Sequence, residues 1–163
     1  MSAGIMKCFK LISLVMLVLS VPLVGAADMD FKGPTPTDKC PVCGMFVAKY
    51  PDFVAEIVFK DGSYVVFDGA KDMLKYYLDM RKYERAKSLS DVKSVYVTNY
   101  YTLTILDGYR AFYVIGSDVY GPMGNEFIPF DKEVQAQEFM RDHKGKAMVR
   151  FNEITREMIQ KMD

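Results

Sequence analysis

Phe53-Val54-Ala55-Glu56-Ile57-Val58-Phe59-Lys60 reads as a β-strand, Asp61-Gly62 as a hairpin turn, and Ser63-Tyr64-Val65-Val66-Phe67 as the returning strand. Asp68 then stands where it can cap a helix whose apolar stripe, Ala70, Met73, Leu74, Tyr77 and Leu78, recurs at helical spacing. A charged stretch from Arg81 to Asp91 leads to a third strand around Ser94 to Thr98, so the order is ββαβ. The second half repeats it. Tyr109 to Ile115 reads as a strand, Gly116-Ser117-Asp118 as a turn, Gly121-Pro122-Met123-Gly124 as a constrained loop, and Glu126 to Phe130 as the return. Asp131 is the second candidate cap, before a helix with Ala136, Phe139, Met140 and His143 on one face that stops near Gly145. Lys146 to Phe151 closes the unit, and Glu153 to Met162 reads as a terminal helix. Val66-Phe67-Asp68 and Pro129-Phe130-Asp131 fall at the same place in the two halves, which points to an internal duplication. The expected fold class is α+β, two similar small ββαβ units packed together, because neither half alone buries much core. The expected divisions are a signal peptide at 1–26, an N-terminal arm at 27–52, and units at 53–106 and 107–163.

Composition narrows the function before any motif does. Of 163 residues half are apolar and a quarter charged, with 21 basic and 21 acidic side chains, which is globular composition and excludes a disordered chain. A balanced charge with no basic block excludes nucleic acid as the main partner, since that binding needs many Lys and Arg to replace counterions.

Lys7 and Lys10 precede an apolar run from Leu11 to Val24, broken by Pro22 and followed by the small residues Gly25-Ala26-Ala27. This is the layout of a secretory signal, and the run is shorter than the roughly 20 residues a spanning helix needs. The expected location is periplasmic, with no cysteine at the cleavage site to carry a lipid. Cleavage removes Cys8 together with the two lysines, leaving a slightly acidic chain whose only cysteines are Cys40 and Cys43.

Those two thiols carry the strongest chemical signal. The two-residue gap suits one metal ion or a redox pair, and closes too small a ring to staple a fold. A structural zinc site would take a second Cys or His pair, which the chain lacks, whereas Cu(I) accepts few ligands and prefers thiolate and thioether sulfur. Met45 follows Cys43 past a glycine, and Met123 sits between glycines after a proline; neither falls on a helical stripe. The carboxylates look scattered over hairpins and solvated helix faces, with no triad and no phosphate loop, so no enzyme and no catalytic residue is expected. His143, beside a helix C-terminus, reads as a cap or packing residue. Two alternatives stay open: thiol–disulfide exchange by Cys40 and Cys43, and a non-catalytic interaction module braced by a disulfide. Exchange calls for a cysteine at a helix N-terminus, but here Gly44 and a hairpin follow.

The chain resembles the NosL family, the accessory proteins of nitrous oxide reductase assembly. The likeness rests on Cys40-Pro41-Val42-Cys43-Gly44-Met45, Tyr113-Val114-Ile115-Gly116-Ser117-Asp118, Gly121-Pro122-Met123-Gly124 and Ile128-Pro129-Phe130. His143-Lys144-Gly145 and Phe151-Asn152-Glu153-Ile154 complete it, so that it spans about residues 38–155. The resemblance implies a periplasmic Cu(I)-binding metallochaperone with a fold similar to organomercurial lyase. It implies Cys40, Cys43, Met45 and Met123 as metal ligands. It also implies, as partner, a copper-receiving protein or membrane transporter complex of the nitrous oxide reductase system, through which the chaperone contacts the membrane.

Overall fold

The computed structural model describes residues 29–163; the expected signal peptide at 1–26, Cys8 included, lies outside them. The chain runs β1 (Ala55–Phe59), β2 (Tyr64–Phe67), α1 (Ala70–Leu78), α2 (Met80–Tyr83), β3 (Val92–Thr98) and β4 (Ile105–Asp107). It continues with β5 (Phe112–Ile115), β6 (Tyr120–Gly121), β7 (Gly124–Asn125), β8 (Ile128–Phe130), α3 (Glu133–Asp142), β9 (Ala147–Arg150) and α4 (Arg156–Gln160). The first sheet has the order β2-β1-β3-β4, the second β8-β5-β9, and β6-β7 forms a separate hairpin; every pairing is antiparallel.

In both halves the first strand is central, flanked by the strand that enters the helix and the strand that leaves it. The registers agree as well. Ala55 lies between Phe67 and Val97, and Phe112 lies between Phe130 and Arg150. The β1–β2 turn is as tight as Asp61-Gly62 suggests, with Gly62 at φ 85° and its N–H bonded to Phe59 O. The connection from β5 to β8 is longer, and it carries the β6–β7 hairpin whose two turn residues are Pro122 and Met123.

The main core gathers Ile57, Phe59, Phe67, Met73, Leu74, Tyr76, Val95 and Val97 of the first half with Tyr113, Phe127 and Ile159 of the second. A smaller cluster of Val114, Ile128, Phe130, Ala136 and Phe139 packs α3 on its own sheet. Successive residues of β5 serve different clusters, as the period of two along a strand requires. Burying a side chain such as Phe139 is worth about 1.5–3 kcal/mol relative to exposing it.

Every residue of β1 is buried, the charged Glu56 included. The N-terminal arm closes that face of the sheet: the backbone N–H groups of Lys32 and Gly33 donate to the Glu56 carboxylate at 2.9 and 2.8 Å. Phe31 packs edge-on against Tyr96, the cross-strand neighbour of Glu56. Burial raises the Glu56 carboxyl above its usual range, while the two donors oppose the rise.

The helices differ from the sequence expectation at their ends. Asp68 and Asp131 do not cap. Gly69 and Lys132 hold the N-cap positions, and each aspartate is engaged elsewhere. Tyr76, outside the expected stripe, is buried and stacks on Tyr83 of α2. Helix α3 ends at Asp142 with His143 as its C-cap, and the chain then reverses at Lys144 (φ 57°), one residue before the expected stop, with Gly145 N–H bonded back to Met140 O. The terminal helix is shorter than Glu153–Met162, since Phe151–Glu153 winds as a 3-10 turn and Thr155 caps α4 by accepting from Met158 N.

Candidate metal centre

Cys40 to Met45 forms a compact knuckle. Gly44 N–H donates to Cys40 O at 2.8 Å and Cys40 N–H donates to Met45 O at 2.9 Å, while Lys39 and Phe46 bridge its base. The reversal needs Gly44 at φ 79°, a conformation that a side chain would strain. The knuckle places Cys40 in the core, 1% exposed, and leaves Cys43 half-buried; both are free thiols.

Helix α1 begins directly against them. Cys43 Sγ donates to both oxygens of Asp68, at 3.2 and 3.4 Å, and Cys40 Sγ donates to Asp72 Oδ2 at 3.4 Å. Four ligand atoms, one each from Cys40, Cys43, Asp68 and Asp72, lie within 4.8 Å of one another. Asp68 precedes the Gly69 N-cap and Asp72 lies in the first turn of α1, so both stand at the helix start beside the thiols. Both are almost wholly buried, at 1% and 2% exposure, so the carboxylates are not confined to solvated faces as expected from the sequence. A four-donor set is therefore present although the chain has no second Cys or His pair.

The thiols are held protonated. Burial pushes Cys43 up to about 12, opposed by hydrogen bonds at the knuckle. Burial raises Cys40 still further, and the nearby Asp68 and Asp72 add to the rise. A redox cysteine needs the opposite shift, towards thiolate at neutral pH. A cation supplies what these groups lack, since it stabilises the thiolates and screens them from the aspartates. Asp72 Oδ1 is buried and accepts no hydrogen bond among the described residues, with Lys75 Nζ at 3.7 Å. Leaving such an acceptor unmet costs about 1–3 kcal/mol. The donor set fits a cation, and its two sulfurs favour a soft one.

Of the residues singled out in the sequence, Cys40 and Cys43 come together at this point. Met45 is half-buried in the same knuckle, its carbonyl holding Cys40 N–H. Met123 sits in the turn of the β6–β7 hairpin, 44% exposed, and its carbonyl accepts from Lys71 Nζ at 2.9 Å. Lys71 directly precedes Asp72, so the second half reaches the helix start that faces the thiols. His143 lies elsewhere, stacked on Phe139 at 4.5 Å with Nδ1 3.3 Å from Asp118. Asp68 and Asp72 were missed by sequence reasoning. Their four-residue spacing at a helix start, behind a cysteine pair, is the signal that could have found them.

The NosL family profile matches residues 32–159. The chain belongs to the NosL family. The copper-binding lipoprotein NosL of Stutzerimonas stutzeri is 28% identical over 132 residues, which cover 76% of this chain and 65% of that protein, just under two thirds of its length. The crystal structure of the copper chaperone NosL from Shewanella denitrificans superposes with a TM-score of 0.66 at 26% identity, covering 78% of this chain and 96% of that one. This NosL protein thus shares its small α+β fold with a solved member of the family.

Proposed function

We propose that the protein is a periplasmic Cu(I) carrier which holds the ion on Cys40 and Cys43, with Met45 and Met123 as thioether ligands, and releases it to a copper-receiving protein or transporter complex serving nitrous oxide reductase. The observation that carries this reading is the pair of free thiols, Cys40 buried and Cys43 half-buried, set against two buried carboxylates. The Stutzerimonas and Shewanella relatives are named for copper, and the former as a lipoprotein, which supports an envelope location. The chemistry points the same way. The thiols must lose their protons to bind, so cargo is gained and lost with proton exchange. Two thiolates with one or two thioethers suit Cu(I), which needs few ligands and exchanges readily from an open site. Met123, exposed on a hairpin turn, leaves one side of such a site within reach of a partner's sulfur. The raised thiols argue against disulfide exchange and leave binding, not catalysis, as the work of the pair.

The test is an anaerobic titration of the reduced protein with Cu(I) against a competing chelator, with Zn(II) in parallel. One-to-one Cu(I) binding, lost when Cys40→Ser and Cys43→Ser are combined, is expected. Copper binding undiminished in the double variant, or readily formed Cys40–Cys43 disulfide with no Cu(I) preference, overturns the proposal.

A further inference from the structure

Helix α1 begins with Asp68-Gly69-Ala70-Lys71-Asp72, in which neighbouring residues serve opposite partners. Asp68 and Asp72 meet the thiols. Gly69 and Lys71 meet the second half of the chain. Lys71 is 1% exposed, an unusual fate for a lysine. Its Nζ donates to Met123 O at 2.9 Å and to Met162 O at 3.4 Å, and lies 3.5 Å from Asp163. Its backbone N–H donates to Glu126 Oε1 at 2.5 Å, and the same oxygen accepts Phe127 N–H at 2.8 Å. The buried Glu126 fits tightly: a Cβ on Gly69 would come within 2.1 Å of its Oε2, and one on Gly121 within 3.0 Å. One residue of the first unit thus grips the β6–β7 hairpin twice, at the turn through its side chain and at the base through its backbone.

We infer that Lys71 and Glu126 are positioning residues, a clamp between the two units that fixes the Met123 hairpin against the helix start bearing the thiol-facing aspartates. The inference rests on Met123 being a copper ligand and adds how that ligand is set. A two-residue turn on a short ribbon has little rigidity of its own. Without the clamp the thioether keeps its chemistry but loses its place, and outer-shell partners of this kind commonly govern affinity by about 10–100-fold.

The test compares Lys71→Met, which keeps the length and apolar stem, with Glu126→Leu, which removes the accepting oxygen. Gly69→Ala drives a methyl against Glu126 and displaces its carboxylate from Lys71 N–H while keeping both side chains, and remains informative should Glu126→Leu fail to fold. Each variant is titrated with Cu(I) as above, alone and combined with Met123→Ala, and the sulfur shell around copper is read by X-ray absorption. Expected are a loss of about 10-fold in affinity in each single variant, one fewer sulfur, and no further loss when Met123→Ala is added. Glu126→Gln, which retains the accepting oxygen, restores the affinity and the sulfur count. If Met123→Ala weakens binding while folded Lys71→Met and Gly69→Ala bind as the wild type, the clamp is refuted and Met123 stands. If Met123→Ala itself binds as the wild type, the ligand reading falls and the clamp falls with it.

Discussion

The starts of α1 and α3 occupy equivalent places in two units that share a ββαβ core, yet they do opposite things. Asp68 and Asp131 each stand two residues before their helix. The first accepts thiol protons from Cys43, the second an amide proton from Asn99 Nδ2 at 3.0 Å. Three residues on, Lys71 is buried and Val134 is 55% exposed, the reverse of what their chemistry favours. What lies over each start accounts for this. The knuckle of the N-terminal arm and the β6–β7 hairpin of the second unit both close on α1, whereas the start of α3 remains open. The shared ββαβ arrangement supplies the frame, and the two additions, one before the first unit and one inside the second, turn a single helix start into a site.

The largest test of that contrast is the pH dependence of copper binding. Burial holds Cys43 up to about 12 and Cys40 higher, so both carry protons near neutrality. If both thiolates bind, the apparent Cu(I) affinity rises about 100-fold per pH unit, and about 10-fold if only one proton leaves. A flat profile between about pH 6 and 8, after correction for the chelator, removes the thiols from the site.

Next comes stability. Complete burial pushes Glu126 up to about 8 from an ordinary 4.5, with the N–H groups of Phe127 and Lys71 and the nearby Lys71 charge opposing the rise and Asp72 reinforcing it. Between those values the folded chain keeps a proton that the unfolded chain has released. The stabilisation is full below the lower value, falls by up to about 1.4 kcal/mol per pH unit, and is gone above the upper one. Denaturant melts of Glu126→Gln should lack this decline relative to the wild type; superimposable pH profiles contradict it.

A smaller effect separates the two aspartates directly. Asp68→Ala is expected to weaken Cu(I) binding about 10-fold. Asp131→Ala should leave it unchanged while costing about 1 kcal/mol of stability through the lost Asn99 bond. Equal effects of the two substitutions on copper would erase the distinction between the helix starts. Smallest of all, His143→Ala should cost about 1 kcal/mol of packing on Phe139 and leave copper affinity untouched; a shift in affinity would contradict its reading as a packing residue.

The parts legible in the sequence are those written as local patterns. Asp61-Gly62, the helical stripes and the paired Phe-Asp steps fix hairpins, helices and repeat, and the cysteine gap with Gly44 marks the knuckle. The rest is long-range and runs against type. Aspartate before a helix reads as a cap because capping is its commonest use there, and only the chain closing over α1 turns Asp68 towards sulfur instead. Asp72 reads as part of a solvated face, and beside it nothing in the sequence announces that Met123, Glu126 and Met162, 52 to 91 residues away, supply the surroundings of Lys71. Glu126 reads as one more strand residue, although its carboxylate serves a helix of the other unit.

The reach of Lys71 to Met162 also sets an order of events. A chain grows from its N-terminus, so Cys40 and Cys43 emerge long before the Met162 carbonyl that Lys71 meets. Until α4 has docked, Lys71 lacks one of its two carbonyl partners and is held by the β6–β7 hairpin alone. The docking of α4 therefore completes the surroundings of Lys71, the residue next to the aspartate that faces Cys40.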